Sequence, residues 1–355
     1  MFPEEKNGQI INKECTSSTF KVGGRRLIQK MLVINQKQVK KVLPLSKIKT
    51  VIGAVENAFG DYGRELVQMP PKAYLYFKEN NGDLRIMPSY SSVLKMAGTK
   101  IVNVHPDNPK KGLMTVMASI MLNDPKNGLP VALMDGTYIT AMRTGAAGAV
   151  AAKYLSREDA STMGVIGAGV QAVYQIAATT KVRKIKTVIV HDLNAKNVQA
   201  LIKTMAKEGI RVQPGTIEEA CACDIVATTT PVRKPIVRKE WIKPGTHINA
   251  IGADAEGKEE LDPEILKGAK IVIDDWAQAS HSGEINVPVS QGIIKKEDIW
   301  GGLGDIVAGK KQGRTNAEEI TMFDSTGLGL QDLYTATAVL KLAKAQKVGK
   351  EVELI

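Results

Sequence analysis

The sequence predicts an α/β protein with a second, sheet-rich part, and three observations carry that expectation. From residue 163 onward, apolar strands alternate with helices, the pattern of a parallel sheet covered on both faces. The first of those strands runs directly into Gly167-Ala168-Gly169-Val170-Gln171-Ala172, a G-x-G-x-x-A turn that opens a helix. Between residues 73 and 134 the texture differs. Short apolar or alternating runs are separated by turn residues such as Asn81-Gly82 and Asn127-Gly128, which reads as antiparallel hairpins.

Taken in order, residues 1–30 show no clear periodicity and are expected to form an N-terminal extension. They are polar and carry no apolar signal core, so secretion is not expected. Met31 opens MLVINQKQV, a strand entering a helix. Residues 46–62 place Ile48, Val51, Ile52, Val55 and Phe59 on one helical face. The runs 73–77, 84–87, 100–104, 115–122 and 131–134 form the antiparallel sheet, its third and fourth strands joined by the turn-rich HPDNPKKG. AMRTGAAGAVAAKYL is a small-residue helix, with Arg143 placed at its start. Then come MGVIG (163–167), a helix to about Thr180, TVIVHD (187–192) and a helix over 194–208. IVATTT (225–230), HINAIG (247–252), a helix over 262–268, KIVIDD (270–275) and ITMFD (320–324) follow. Residues 329–347 are expected to close the chain as one amphipathic helix.

Composition narrows the function classes. A length of 355 residues suggests two domains, and 43% hydrophobic with 24% charged residues is a globular balance. No apolar run approaches the roughly 18 residues that cross a bilayer, so a membrane protein is not expected. The net charge of +11 invites a nucleic-acid reading, but aromatics are only 5% and the lysines are scattered. A solvated basic surface that attracts small anions fits better. Cys15, Cys221 and Cys223 make neither a disulfide framework nor a zinc site and read as buried reduced thiols of a cytoplasmic protein. His105, His191, His247 and His281 are isolated, so no protein-bound metal is expected.

The glycine turn carries the sharpest chemistry. Gly167 permits the tight turn, Gly169 removes the side chain where a pyrophosphate must approach, and the small Ala172 lets helix and strand pack closely. The helix N-terminus offers unpaired N–H groups to the phosphates. Asp192 ends the next apolar strand, 25 residues beyond Gly167. An acid there accepts from the adenosine ribose hydroxyls and repels a 2′-phosphate, favouring NAD over NADP. The lesser alternative is that Asp192 merely caps the helix that follows, and Asn194 and Lys196 leave some room for NADP.

A hydride-transfer site also needs cations for an acidic substrate and a proton donor or acceptor. Lys72, Arg85 and Lys100 lie in strand contexts, where a buried charge must be paired. On spacing alone Lys100 could instead face solvent. Asp254 follows NAIGA at the carboxyl end of a parallel strand, where open α/β sheets build their sites; it is an acid/base candidate or a turn cap. Arg143 could pair with a phosphate or carboxylate or stitch the two parts of the chain, and Ser325-Thr326-Gly327 makes a second anion-friendly turn. The expected cofactor contacts are Thr144, Gly167, Gly169, Val170, Gln171, Asp192, Thr229, Thr230 and Ser325.

These residues, with MPPKAYLYF, DLRIMPSY, KIVNVHPDNPKKGLMTVMA, VIGAGVQA, THINAIGADAEGKEELD, GEINVPVSQG and FDSTGLGLQD, resemble the ornithine cyclodeaminase/mu-crystallin family from about Met31 to the C-terminus, most of all its archaeal-type alanine dehydrogenase branch. The resemblance implies a Rossmann NAD-binding domain (144–324) inserted in an α+β substrate and dimerisation domain (31–143 plus 325–355). It also implies a homodimer with the substrate pocket in the cleft between domains. It makes Lys100 and Asp254 the principal catalytic candidates and Lys72, Arg85 and Arg143 the substrate-binding ones. Ornithine-cyclising members tend to carry a glutamate at the place of Arg85, and an arginine would repel a distal ammonium. Arg85 therefore favours a small 2-oxo acid such as pyruvate, gripped bidentately, with alanine and ammonia as its partners in NAD-dependent interconversion. In that scheme a nearby acid keeps Lys100 charged to donate to the carbonyl, while Asp254 shuttles protons. Other imine reductases or cyclodeaminases of the family, and a non-catalytic NAD(P)-binding protein, stay open as alternatives.

Overall fold

A computed structural model describes residues 29–354 of the chain. All but the last two residues of the expected extension, together with Cys15, lie outside the described residues. Two eight-stranded sheets organise the rest.

The first sheet runs in the order Lys350–Glu353, Lys30–Ile34, Pro130–Asp135, Val116–Asn123, Met96–Val104 and Gly82–Ser91, with Val67–Gln68 and Ala73–Phe77 both paired to Gly82–Ser91. It is antiparallel except where Lys30–Ile34 lies parallel to Pro130–Asp135. The turn chemistry explains the hairpins. Gly128 adopts φ +77° at the tip between Val116–Asn123 and Pro130–Asp135, and Asn81 takes a left-handed conformation before Gly82–Ser91.

The second sheet is wholly parallel, in the order Val212–Pro214, Thr187–His191, Thr162–Ile166, Ile225–Thr228, His247–Ala250, Ile320–Asp324, Ala269–Ile273 and Ile299–Gly302. The chain winds outward in one direction from Thr162–Ile166 and then restarts on its other side at Ile225–Thr228. That reversal leaves a crevice at the carboxyl ends of these two neighbouring strands, the place where doubly wound sheets take ligands. The architecture is therefore a Rossmann-type α/β unit joined to an α+β unit.

Helices Ile48–Gly63, Thr137–Leu155 and Gly329–Ala345 fill the space between the sheets and share one apolar core with Phe323 and Val272 of the parallel sheet. The small-residue helix begins six residues before Arg143, at Thr137, not at Arg143 as the sequence suggested. The carboxylate of Asp135 accepts from the Thr137 and Tyr138 amides and so starts it earlier. Its glycines serve close approach: a Cβ on Gly145 would sit 2.5 Å from the Tyr174 backbone of helix Val170–Thr179. The last helix is amphipathic only in its second half, where Lys341 and Lys344 are exposed and Val339, Leu340 and Ala343 buried. Residues 329–337 are all buried, because the helix lies between the inner face of the first sheet and helices Ile48–Gly63 and Thr137–Leu155. Its polar residues Gln331 and Asp332 face partners inside the protein. The edge strands Val212–Pro214, Ile299–Gly302 and Lys350–Glu353 were not foreseen; each is only three or four residues long. Among the described residues no helix is long and apolar enough to cross a membrane, and Cys221 and Cys223 are buried free thiols.

Candidate active site

Strand alternation decides which side chains reach the crevice. On Gly82–Ser91, Arg85, Met87, Ser89 and Ser91 turn to the buried face, and on Met96–Val104 Lys100 and Val102 do. The register pairs Arg85 with Val102 and Met87 with Lys100, so Arg85 and Lys100 are diagonal neighbours on one face. Opposite them stand the loops that leave the carboxyl edge of the parallel sheet, after Ile225–Thr228, His247–Ala250 and Ile320–Asp324. A cavity of about 460 Å³ lies between. Of the residues singled out in the sequence, Lys72, Arg85, Lys100, Arg143, Thr144, Val170, Gln171, Thr229, Thr230, Asp254 and Ser325 line it. Lys100 and Asp254, which reach it from different sheets, thus face one compartment. Gly167, Gly169 and Asp192 are not in its wall but form the glycine turn and strand end beside it.

Three cations of the wall, Lys72, Lys100 and Arg143, lie close enough to feel one another's charge. Lys100 is 1% exposed, and its Nζ lies 2.7 Å from Asp332 Oδ2. The contact is a buried ion pair. Arg143 Nε donates to the other oxygen of the same carboxylate at 3.0 Å, and Arg143 Nη1 donates to Gln331 Oε1 at 3.1 Å. Lys72 Nζ donates to the Thr326 carbonyl at 2.7 Å. Burial, then the like charges of Arg143 and Lys72, outweigh Asp332 and pull the Lys100 ammonium down to about 7. This corrects the expectation that a nearby acid simply keeps Lys100 charged. Burial also lowers Lys72, to about 8, with Asp274 opposing and Arg85 and Arg143 reinforcing. Asp274 in turn fixes the third loop: it accepts from Thr326 Oγ1 at 2.8 Å and from the Gly327 amide at 2.7 Å.

Arg85, the fourth cation of the cavity wall, is already engaged. Its Nε and Nη2 donate to the two oxygens of Asp83, each at 2.9 Å, and Nη1 donates to the Asp254 carbonyl and to Asp254 Oδ2, each at 3.2 Å. The bidentate edge expected to grip a substrate carboxylate is thus occupied by Asp83, two residues back on the same strand face. Asp254 is not a turn cap. Its other oxygen accepts from Lys258 Nζ at 2.5 Å, and its side chain is 35% exposed. Burial alone would raise this carboxyl, but Arg85 and Lys258 overcome it and hold Asp254 at about 2.

The nucleotide end has the features of a phosphate cradle. Gly167 adopts φ +96°, and a Cβ there would press on Thr230 and Thr229. A Cβ on Gly169 would meet nothing within 4 Å, so the space before helix Val170–Thr179 is open, and no side chain caps that helix. Asp192 Oδ2 accepts from the Ala168 amide and Oδ1 from the Asn194 amide, each at 2.7 Å. It ties the glycine turn to the strand end while each oxygen keeps capacity for a further donor. Buried polar atoms of three cavity residues, Thr140 Oγ1, Gln171 Oε1 and Ser325 Oγ, have no hydrogen-bond partner among the described residues.

Sequence reasoning missed Asp332, Asp83, Lys258, Asp274 and Glu260. Glu260 is fully buried and accepts from Thr228 Oγ1, Thr230 Oγ1, the Thr230 amide and the Gly252 amide, all within 2.9 Å. It staples two cavity loops together. The usable signal was an acid inside an apolar stretch, as in GLGLQDLYTA for Asp332 and KIVIDD for Asp274.

Residues 32–347 match the model of the ornithine cyclodeaminase/mu-crystallin family. Among solved structures, an archaeal alanine dehydrogenase dimer with bound NAD is similar at 47% identity and a TM-score of 0.88, over 92% of this chain and 100% of that one. The Δ1-pyrroline-2-carboxylate reductase of Thermococcus litoralis, in complex with NADH and L-proline, is 40% identical with a TM-score of 0.87, over 91% and 100%. The iminosuccinate reductase of Paracoccus denitrificans, in complex with NAD⁺, is 32% identical with a TM-score of 0.85, over 92% and 100%.

Proposed function

The chain belongs to the ornithine cyclodeaminase/mu-crystallin family, and from that premise we propose that it is an NAD-dependent alanine dehydrogenase. The reaction is L-alanine + NAD⁺ + H₂O to pyruvate + NH₄⁺ + NADH + H⁺, and its reverse. The observation that carries this reading is how the cations of the cavity wall are paired: Lys72, Lys100 and Arg143 form a cluster in which one carboxylate, Asp332, meets both Lys100 and Arg143, whereas Arg85 is neutralised in an Asp83–Arg85–Asp254–Lys258 chain. Such a site accepts one carboxylate and offers nothing to a distal ammonium. The alanine dehydrogenase likeness supports it.

NAD, when bound, supplies the hydride acceptor, and Gly167, Gly169, Val170, Gln171, Asp192, Thr144, Thr229, Thr230 and Ser325 would hold it. Lys72 and Arg143 hold the substrate carboxylate. Lys100, close to half-neutral at pH 7, takes the proton during amino-acid oxidation and donates to the carbonyl oxygen during amination. Asp254 stays ionised and accepts a hydrogen bond from the substrate nitrogen; Arg85 positions it. This revises two sequence-based assignments, since Arg85 has no free fork for a substrate and a carboxyl held at about 2 carries protons poorly.

Residues 144–324 would form the nucleotide domain and 31–143 with 325–355 the substrate domain. Pairing through the antiparallel sheet, where Leu75, Tyr76 and Ile101 are exposed, would give a homodimer like the archaeal relative. Buried free thiols suit the cytoplasm.

The test is NADH formation by the purified full chain at alkaline pH with L-alanine, L-proline, L-ornithine and L-aspartate. Alanine should be the best substrate. Turnover of another amino acid with none of alanine would overturn the assignment. Met87, Val102, Leu113 and Met114 also make an apolar wall that suits a five-membered ring, so L-proline is the principal competitor.

A further inference from the structure

We propose that Asp83 restricts this site to substrates with a single carboxylate. The inference rests on the amino-acid oxidoreductase reading above and sharpens its substrate class.

Of the four cations in the cavity wall, Lys72, Arg85, Lys100 and Arg143, Arg85 is the one left to receive a second carboxylate once Lys72 and Arg143 hold the first and Lys100 serves the reacting carbon, as a four-carbon dicarboxylic substrate would require. Its guanidinium has five N–H groups. Four hydrogen bonds to Asp83 and Asp254 already use four of them. The Nε/Nη2 edge, the geometry that best matches a carboxylate, is filled by Asp83 with two bonds of 2.9 Å. Asp83 and Arg85 are buried partners, with side chains 16% and 7% exposed, so water does little to screen the pair. A second substrate carboxylate would approach two fixed carboxylates and an arginine with one N–H left. Like charges brought together in so dry a place are strongly disfavoured. Discrimination comes from Asp83, because it alone fills the fork; Asp254 engages only Nη1. Strand pleating builds the device in, since residues two apart on Gly82–Ser91 share a face.

The experiment compares the full-length wild type with Asp83→Asn and Asp83→Ala. Steady-state oxidation of L-aspartate and of L-alanine is measured with NAD. Calorimetry measures succinate and propionate binding to the NAD-loaded chain. The wild type should oxidise alanine with little or no aspartate turnover and should bind propionate in preference to succinate. Either variant should raise the aspartate-to-alanine ratio of kcat/KM, and the succinate-to-propionate affinity ratio, by about tenfold or more. Unchanged ratios in a variant that still binds NAD would overturn the proposal. So would a wild type that handles aspartate as readily as alanine, or succinate as tightly as propionate, even if neither variant folds. A wild type without alanine activity would sink the alanine assignment, while the succinate and propionate affinities would still decide the role of Asp83.

Discussion

Lys100 Nζ lies 2.7 Å from Asp332 Oδ2, and Asp332 spends its other oxygen on Arg143. One carboxylate from the first turn of helix Gly329–Ala345 therefore orients a lysine from the sheet and an arginine from helix Thr137–Leu155. The pair does not restore an ordinary lysine. Burial and the neighbouring cations Arg143 and Lys72 prevail, and Lys100 titrates at about 7.

The first prediction concerns this lysine. For alanine oxidation, kcat/KM should rise with pH through an apparent value near 7, where Lys100 loses its proton. Lys100→Met should abolish that limb and lower the rate by about 10²- to 10⁴-fold. Asp332→Asn removes a charge that raises Lys100, so the limb should move to lower pH. It also leaves buried cations unpaired, at a cost on the order of 3 kcal/mol in a denaturant titration. A limb that stays in place in Asp332→Asn would remove Asp332 from the role given to it.

Asp254 gives the second prediction, because its clamp separates it from Lys100 in kind. Held at about 2 by Arg85 and Lys258, it stays ionised at every pH where the protein would be assayed. Asp254→Asn should lower kcat for alanine oxidation roughly 10- to 100-fold through lost orientation of the substrate nitrogen. The limb near pH 7 should remain. If the limb disappears with this variant and survives Lys100→Met, the two residues have exchanged roles.

Much of this was legible in the sequence, for identifiable reasons. Period-two alternation exposes a sheet, and it marked Lys100 as a charge in an apolar strand. The glycine turn reads directly because its chemistry is local, within six residues of one strand end. What sequence could not reveal is pairing at a distance. Asp332 is more than 200 residues from Lys100, and nothing in GLGLQDLYTA says which cation it meets. The same helix looked amphipathic throughout, although its polar Gln331 and Asp332 are buried against partners. Arg85 was recognised, but an arginine's neighbours decide whether its fork is available, and Asp83 lay two residues away, unweighed.

The last prediction reads stability rather than activity. Asp324 ends a central parallel strand, is fully buried, and accepts from the Ile285 amide at 3.1 Å; its Oδ1 has no partner among the described residues. Burial, with the charge of Asp274 nearby, raises its carboxyl to about 8. Burial likewise raises Asp274, to about 6, although Lys72 pulls against it. An unfolded aspartate titrates near 3.9. Between about pH 4 and the folded values these two carboxyls therefore hold more protons in the native state than in the unfolded one, and their contribution to unfolding free energy falls as pH rises, while the lowered Lys72 and Lys100 act in the opposite sense. The contribution is fully present below pH 4 and is lost through about 6 for Asp274 and about 8 for Asp324. Asp324→Asn supplies a neutral isostere in the same place. It should remove the Asp324 contribution, so the stability of the variant relative to wild type should rise between pH 6 and 8 and exceed it at pH 8, measured by urea unfolding of both proteins at a series of pH values. Parallel curves for the two proteins would mean that Asp324 is already ionised in the native state and that its neighbours bear the charge.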